Sequence, residues 1–234
     1  MSDKPVKHQK AVLINTKPRT INQNNIFREF DKGKHLFIHG TAGTGKSYLA
    51  MYLALNEVIN KNTYKEVVIV RSAVPSRRQG FLPGNEAEKN EIFELPYEAI
   101  TNDLFTGCQN HYRTLKNLGN IRFLSTSYLR GLTLDNAVVI IDECQNMNGG
   151  EIDTIMTRIG KDCRIIILGD TKQNDLLYLR EDSCMDNLER IIPKIKSFSS
   201  IEMGTDDIQR NDVVREWIIA RDSVSNVMPR FITG

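Results

Sequence analysis

At 234 residues the chain is long enough to bury one sizeable core and short enough to be a single domain. It is 40% hydrophobic and 26% charged with a net charge of +2, a globular balance that excludes a disordered or fibrous chain and leaves nucleic-acid binding to a local patch. No apolar run reaches the length of a membrane span, and the start, MSDKPVKHQK, lacks the apolar stretch of a secretory signal, so no membrane partner is expected and the chain is placed in the cytoplasm.

In chain order, residues 1–18 read as a polar, basic arm in which only AVLIN (11–15) has the character of a short edge strand. Residues 19–220 then alternate short apolar runs with amphipathic ones, and 221–234 read as a tail. HLFIHG (35–40) is a strand, followed by a helix from Ser47 to about Lys61. EVVIVR (66–71) is the next strand and Ala87 to about Thr106 the next helix. IRFLS (121–125) and NAVVIID (136–142) are strands, and Gly149–Ile159 is helical. CRIIILGD (163–170), a helix over Asp186–Ile192, the strand SFSSIEM (197–203) and a helix over Asn211–Ala220 complete the series. Continuous apolar strands separated by helices predict an α/β fold with a parallel sheet covered on both faces. Cys108, Cys144, Cys163 and Cys184 lie 19 or more residues apart, without the short paired spacing of a zinc site, and read as reduced structural thiols.

GTAGTGKS (40–47) satisfies the phosphate-cradle pattern G-x-x-x-x-G-K-[ST] in the context the pattern requires, after a strand and at the start of a helix. Gly40, Thr41, Ala42, Gly43, Thr44 and Gly45 supply backbone N–H groups around phosphate oxygens, with Tyr48 next in the helix. Lys46 is placed to reach the β- and γ-phosphates and Ser47 to offer a hydroxyl to Mg²⁺, where the helix N-terminus adds positive potential. The strand AVVIID ends in Asp142, which suits Mg²⁺, and Glu143 follows as a candidate base for the attacking water. LGDTKQ, after a third apolar strand, presents Gln173 as a residue that orients water and senses the γ-phosphate, a role with precedent in nucleotide hydrolases.

The order GTAGTGKS … VIVRSAVP … QGFLPGNEAEK … YLRGLTLDNAVVIIDECQN … LGDTKQNDL resembles the PhoH-like proteins, P-loop ATPases related to the first RecA-like domain of superfamily-one helicases. The likeness runs from about Arg19 to about Val214, and GFLPG and YLRGLTL are its most specific segments. It implies a RecA-like fold with the 163–169 strand between the cradle strand and the Asp142 strand, ATP and Mg²⁺ as cofactors, and action on RNA or single-stranded DNA. It also implies that Gln23 reads adenine, although the surrounding RTINQNN reads locally as an Asn/Gln-rich turn. Arg71 opens RSAVP, which follows a strand as the family's nucleic-acid-contacting segment does; Arg77 and Arg78 add positive charge beside it, or are solvated loop arginines, and Arg130 in YLRG is a candidate contact to nucleic acid or to a neighbouring subunit. Arg210, in DIQRNDVV, matches the family's C-terminal arginine segment; a single RecA-like domain would receive such an arginine from a neighbour, which predicts a homo-oligomer such as a hexameric ring, and the plain alternative is a salt bridge at a helix start. Cys144 stands where the family usually has alanine, and Ser47 where threonine is more common. The small size looks like a stand-alone member, of a kind a phage can encode, which would put it in the host cytoplasm. Two rivals share the cradle: a small-molecule kinase with the Arg77–Arg78 loop as its lid, and an ATP-dependent assembly switch with negligible turnover.

Overall fold

All six apolar runs assigned to the main sheet are strands in the computed structural model, which describes residues 11–72, 86–107, 110–170 and 184–225. The elements in order are β1 (Val12–Leu13), α1 (Ile21–Asp31), β2 (His35–Gly40), α2 (Lys46–Leu55), β3 (Glu66–Arg71), α3 (Glu86–Leu104), β4 (Phe105–Thr106), α4 (His111–Asn117), β5 (Ile121–Ser125), β6 (Ala137–Asp142), α5 (Gly149–Met156), β7 (Arg164–Gly169), α6 (Met185–Ile191), β8 (Phe198–Met203) and α7 (Asp212–Ser225). A single π-turn, Asn56–Asn60, extends α2 to the length expected for that helix.

The sheet order is β5-β3-β6-β7-β2-β8, and every pairing is parallel. β7 therefore separates β2 from β6, as expected for a RecA-like sheet. Side chains alternate between faces, so each strand feeds two cores. Leu36, Ile38, Ile69 and Ile140 pack with α1 to α4 on one side. Phe37, Val70, Ile141 and Ile167 pack with α5 and α6 on the other. β6 is buried at all six positions, which explains its uninterrupted apolar sequence. The sheet's carboxyl edge, carrying Gly40, Arg71, Asp142 and Gly169, is the edge where parallel sheets present ligand sites.

Several details differ from the expectation: the helix expected to about Thr106 ends at Leu104, with Phe105–Thr106 forming β4, and the one expected to Ile159 ends at Met156. AVLIN forms β1, but it pairs antiparallel with β4 in a separate two-stranded sheet and is not an edge of the main one. Residues 21–31 and 111–117 are helices that the sequence reading did not assign. α1 begins at Thr20, whose side chain caps the Gln23 N–H, and it buries Gln23, Ile26 and Phe30 at helical spacing. α7 runs past residue 220 to Ser225. Among the described residues no helix is long and apolar enough to cross a membrane, and Cys144, Cys163 and Cys184 are free thiols, whereas Cys108 lies outside the described residues.

His35 gives the sheet a pH dependence. Its Nδ1 accepts the Ile165 backbone N–H at 3.2 Å, and its ring lies 5.0 Å from that of Phe198. Burial first, and the Arg164 charge second, hold its pKa below 6.5. Below that value the unfolded chain binds the proton that the folded chain refuses, so this contribution is complete above pH 6.5 and is lost as the pH falls from there through the lower folded-state value. Urea midpoints are expected to drop between about pH 7.5 and about pH 5.5, and to drop less in His35→Asn, whose amide oxygen can accept the same bond without titrating. His39, also held low by burial, contributes equally to both proteins.

Candidate nucleotide site

The loop between β2 and α2 closes on itself before any ligand is considered. Gly43 and Gly45 have φ of +75° and +85°, conformations that glycine alone adopts without strain, and Gly45 is the N-cap of α2. Thr44 Oγ1 donates to Thr41 O at 3.0 Å, and Lys46 Nζ donates to Gly40 O at 3.1 Å and Thr41 O at 2.8 Å, which holds the ammonium over the loop. Two neighbouring segments grip the loop from outside: Gln209 N–H donates to Gly43 O at 2.9 Å, and Gln23 Nε2 to Thr44 O at 3.4 Å.

This loop floors a cavity of about 940 Å³. Ala42 to Tyr48 line it, together with Gln23, Arg71, Asp142, Glu143 and Arg210. Gly40 and Thr41 are not in the lining; they lie beneath it, where Gly40 abuts β8 and Thr41 N–H donates to Met203 O at 2.8 Å. A volume of this order suits a nucleotide-sized ligand.

The acidic wall is held by a chain of hydrogen bonds. Asp142, 5% exposed, accepts the Tyr97 hydroxyl at Oδ2 and the Glu143 backbone N–H at Oδ1, each at 2.8 Å. Glu143 has a φ of +54°, an uncommon conformation for a residue with a side chain and one that recurs at functional sites. Gln145 Nε2 donates to Glu143 Oε2, while Gln145 Oε1 accepts the Asp170 N–H at 2.9 Å. Gln145 therefore links the end of β6 to the end of β7. Burial first, and the Asp142 charge next, push the Glu143 carboxyl above its usual range, whereas Arg71 and Lys46 oppose the shift. Burial lowers the Lys46 pKa, offset by Asp170, Glu143 and Asp142 in that order. Cations and acids share one cavity, and a half-buried carboxyl there is shifted above its usual range, which is the electrostatic pattern of a candidate functional site.

Most of the expected residues converge here. Gln23 is buried on α1, with Oε1 accepting the Arg19 N–H at 2.8 Å. α1 is itself clasped to the end of β8: Thr20 Oγ1 donates to Asp207, as do Asn22 Nδ2 and the Gly204 N–H, both at 2.8 Å. Arg71 ends β3 opposite Asp142 in register, with its guanidinium 5.6 Å from the Phe93 ring centre, and it lines the same cavity. Arg210 also stands in the cavity of its own chain: a Cβ built on Gly43 would lie 3.2 Å from its Cγ. A neighbouring subunit is not needed to bring an arginine there. Arg130 is exposed in the turn after Thr126–Tyr128 and does not line this cavity. Arg77, Arg78 and Gln173 lie outside the described residues. The sequence reading missed Gln145, Tyr97 and Asp207. Gln145 was signalled by its place two residues after Glu143; the other two carried no sequence signal.

Ser47 and Asp142 offer hydroxyl and carboxylate oxygens in the same cavity, which fits Mg²⁺, a hard ion that takes one or two protein oxygens and the rest from phosphates and water.

The PhoH-like protein family matches residues 15–221. A PhoH-like protein of Bacillus subtilis (strain 168) is 32% identical over 205 residues, covering 87% of this chain and 63% of that protein. A PhoH-like protein of Synechocystis is 29% identical over 229 residues, covering 94% and 68% respectively. Protein PhoH of Escherichia coli (strain K12) is 28% identical over 191 residues, covering 81% and 53%. The chain thus spans between 53% and 68% of the length of these relatives. Among solved structures, the Pif1 helicase from Candida albicans is 15% identical with a TM-score of 0.40, covering 80% of this chain and 40% of that one. At that score the likeness adds nothing to the strand order read from the chain's own hydrogen bonds.

Proposed function

The chain belongs to the PhoH-like protein family, and from that premise we propose that it binds ATP with Mg²⁺, hydrolyses the γ-phosphate, and couples the reaction to RNA or single-stranded DNA. The observation that carries the reading is the convergence on one cavity of residues 42–47 of the loop, the Asp142–Glu143–Gln145 wall and Arg210.

The phosphates lie on the 43–47 backbone, with Lys46 turned from the loop carbonyls toward the β- and γ-phosphates. Ser47 and Asp142 would hold Mg²⁺, which would offset phosphate charge. Glu143 takes the proton of the attacking water, and its raised pKa makes it a stronger base than an exposed carboxylate. Arg210 and Arg71 meet developing negative charge from within the same chain. Gln23 spends one N–H on Thr44 O and one lone pair on Arg19 N–H, keeping one of each for the exocyclic amine and ring nitrogen of adenine.

Coupling to nucleic acid rests on the family likeness and on the exposed Arg130 in the turn after Thr126–Tyr128. The test is phosphate release from ATP, measured with and without single-stranded RNA and single-stranded DNA at fixed salt. Stimulation by either polymer is expected. Turnover that ignores both polymers sinks the coupling and leaves an ATPase. Nucleotide-dependent assembly without turnover indicates a switch, and transfer of phosphate to a small acceptor indicates a kinase.

A further inference from the structure

α3 brings one side chain to the acidic wall. Tyr97 is 1% exposed, yet it and the preceding Pro96 border the nucleotide cavity. Pro96 lacks an N–H and so interrupts the α3 hydrogen-bond ladder within the helix. The Tyr97 ring is fixed at 6.0 Å from that of Phe123, and its backbone carbonyl accepts the Thr101 hydroxyl at 2.7 Å. A buried tyrosine hydroxyl needs a partner, and any backbone carbonyl would satisfy it. Here the partner is Asp142, the carboxylate that ends β6.

We propose that Tyr97 is a positioning residue for the metal carboxylate: its hydroxyl, with the Glu143 N–H, fixes the plane of Asp142 so that the remaining lone pair on each oxygen faces the cavity. The proposal rests on the ATP–Mg²⁺ reading above. A carboxylate oxygen accepts about two hydrogen bonds. Oδ1 and Oδ2 each use one within the protein, so both stay available without the side chain having to choose a rotamer when the metal–nucleotide complex arrives. Partners of this kind, one step behind a metal ligand, typically set metal affinity by about 10–100-fold.

The test is calorimetric binding of a non-hydrolysable ATP analogue to the full chain, with Mg²⁺ and with chelator, so that the quantity read is the enhancement by metal and not turnover. Tyr97→Phe keeps the ring and removes the hydroxyl. Its metal-free affinity is expected to equal that of the parent, while the Mg²⁺ enhancement falls by about 10–100-fold. Asp142→Asn is expected to abolish the enhancement, and adding Tyr97→Phe to it should change nothing further, because the hydroxyl acts through Asp142. An undiminished enhancement in Tyr97→Phe overturns the proposal. So does an equal loss of metal-free and metal-bound affinity with a lowered melting temperature, which marks a packing role. If the parent shows no enhancement by Mg²⁺, the ATP–Mg²⁺ reading falls first and takes the proposal with it.

Discussion

Glu143→Gln is expected to slow phosphate release from ATP by about 10²–10⁴-fold, the range that a positioned general base contributes, while ATP binds as tightly as to the parent or more so. The amide has the shape of the carboxylate but cannot take the proton from water. Its oxygen can still accept from Gln145 Nε2, so the link from β6 through Gln145 to Asp170 survives and the wall keeps its geometry. Binding improves because Glu143 shares the cavity with Asp142 and Asp170, and a triphosphate brings further negative charge among them. Burial and the Asp142 charge already push the Glu143 carboxyl upward, and removing its charge relieves the same repulsion. Single-turnover phosphate release alongside equilibrium ATP binding separates the two effects. Loss of both together would make Glu143 a structural residue of the wall. Retention of turnover would place the base elsewhere in the cavity.

The parts of the molecule that could be read from the chain are those where one local rule fixes the outcome. β6 is five apolar residues, four of them β-branched, ending in an acid, a run that suits a short strand buried on both faces. The 40–47 loop is legible because its glycines, lysine and serine keep a fixed spacing between a strand and a helix, the pattern of a phosphate cradle. α1 was illegible for the converse reason. Its sequence, INQNNIFREFD, is mostly polar, and the asparagines favour turns in isolation; the Thr20 cap, the clasp on Asp207 and the burial of Ile26 and Phe30 override that preference. Arg71 and Arg210 could be singled out in the sequence, but that both line one cavity of their own chain is visible only in the fold. Which face a strand-end arginine serves depends on the strand beside it, and the neighbour here is β6 with Asp142. Arg210 reaches its own cavity because residue 209 is pinned to the loop at Gly43 O, a contact between positions far apart in sequence. Tyr97 shows the limit most plainly: a tyrosine in an amphipathic helix reads as core, and only the fold reveals that its hydroxyl meets a carboxylate.

Gly40 and Gly45 belong to one motif, but substitution at each is expected to fail in a different way. Gly40 has a φ of +115°, and a Cβ there would lie 2.3 Å from Met203 O and 3.0 Å from Met203 N, both backbone atoms of the adjoining strand β8. Backbone cannot swing aside as a side chain can, so Gly40→Ala must separate β2 from β8 or distort the loop. The unfavourable conformation costs about 1–3 kcal/mol and the overpacking a further ~1–3 kcal/mol, against a total stability on the order of 5–15 kcal/mol for a domain. A large drop in urea midpoint is expected even without nucleotide. Gly45 has a φ of +85°, and a Cβ there meets nothing within 4 Å. Only the conformational term of about 1–3 kcal/mol applies, but the added methyl projects at the start of α2, where phosphate oxygens must approach the backbone. Gly45→Ala is therefore expected to melt closer to the parent than Gly40→Ala does, yet to lose nucleotide affinity in proportion well beyond its loss of stability. Denaturation and nucleotide binding measured on both variants decide the matter. If Gly40→Ala proves no less stable than Gly45→Ala, the contact with β8 is not what requires glycine at residue 40, and the positive φ that both positions share is the reason left.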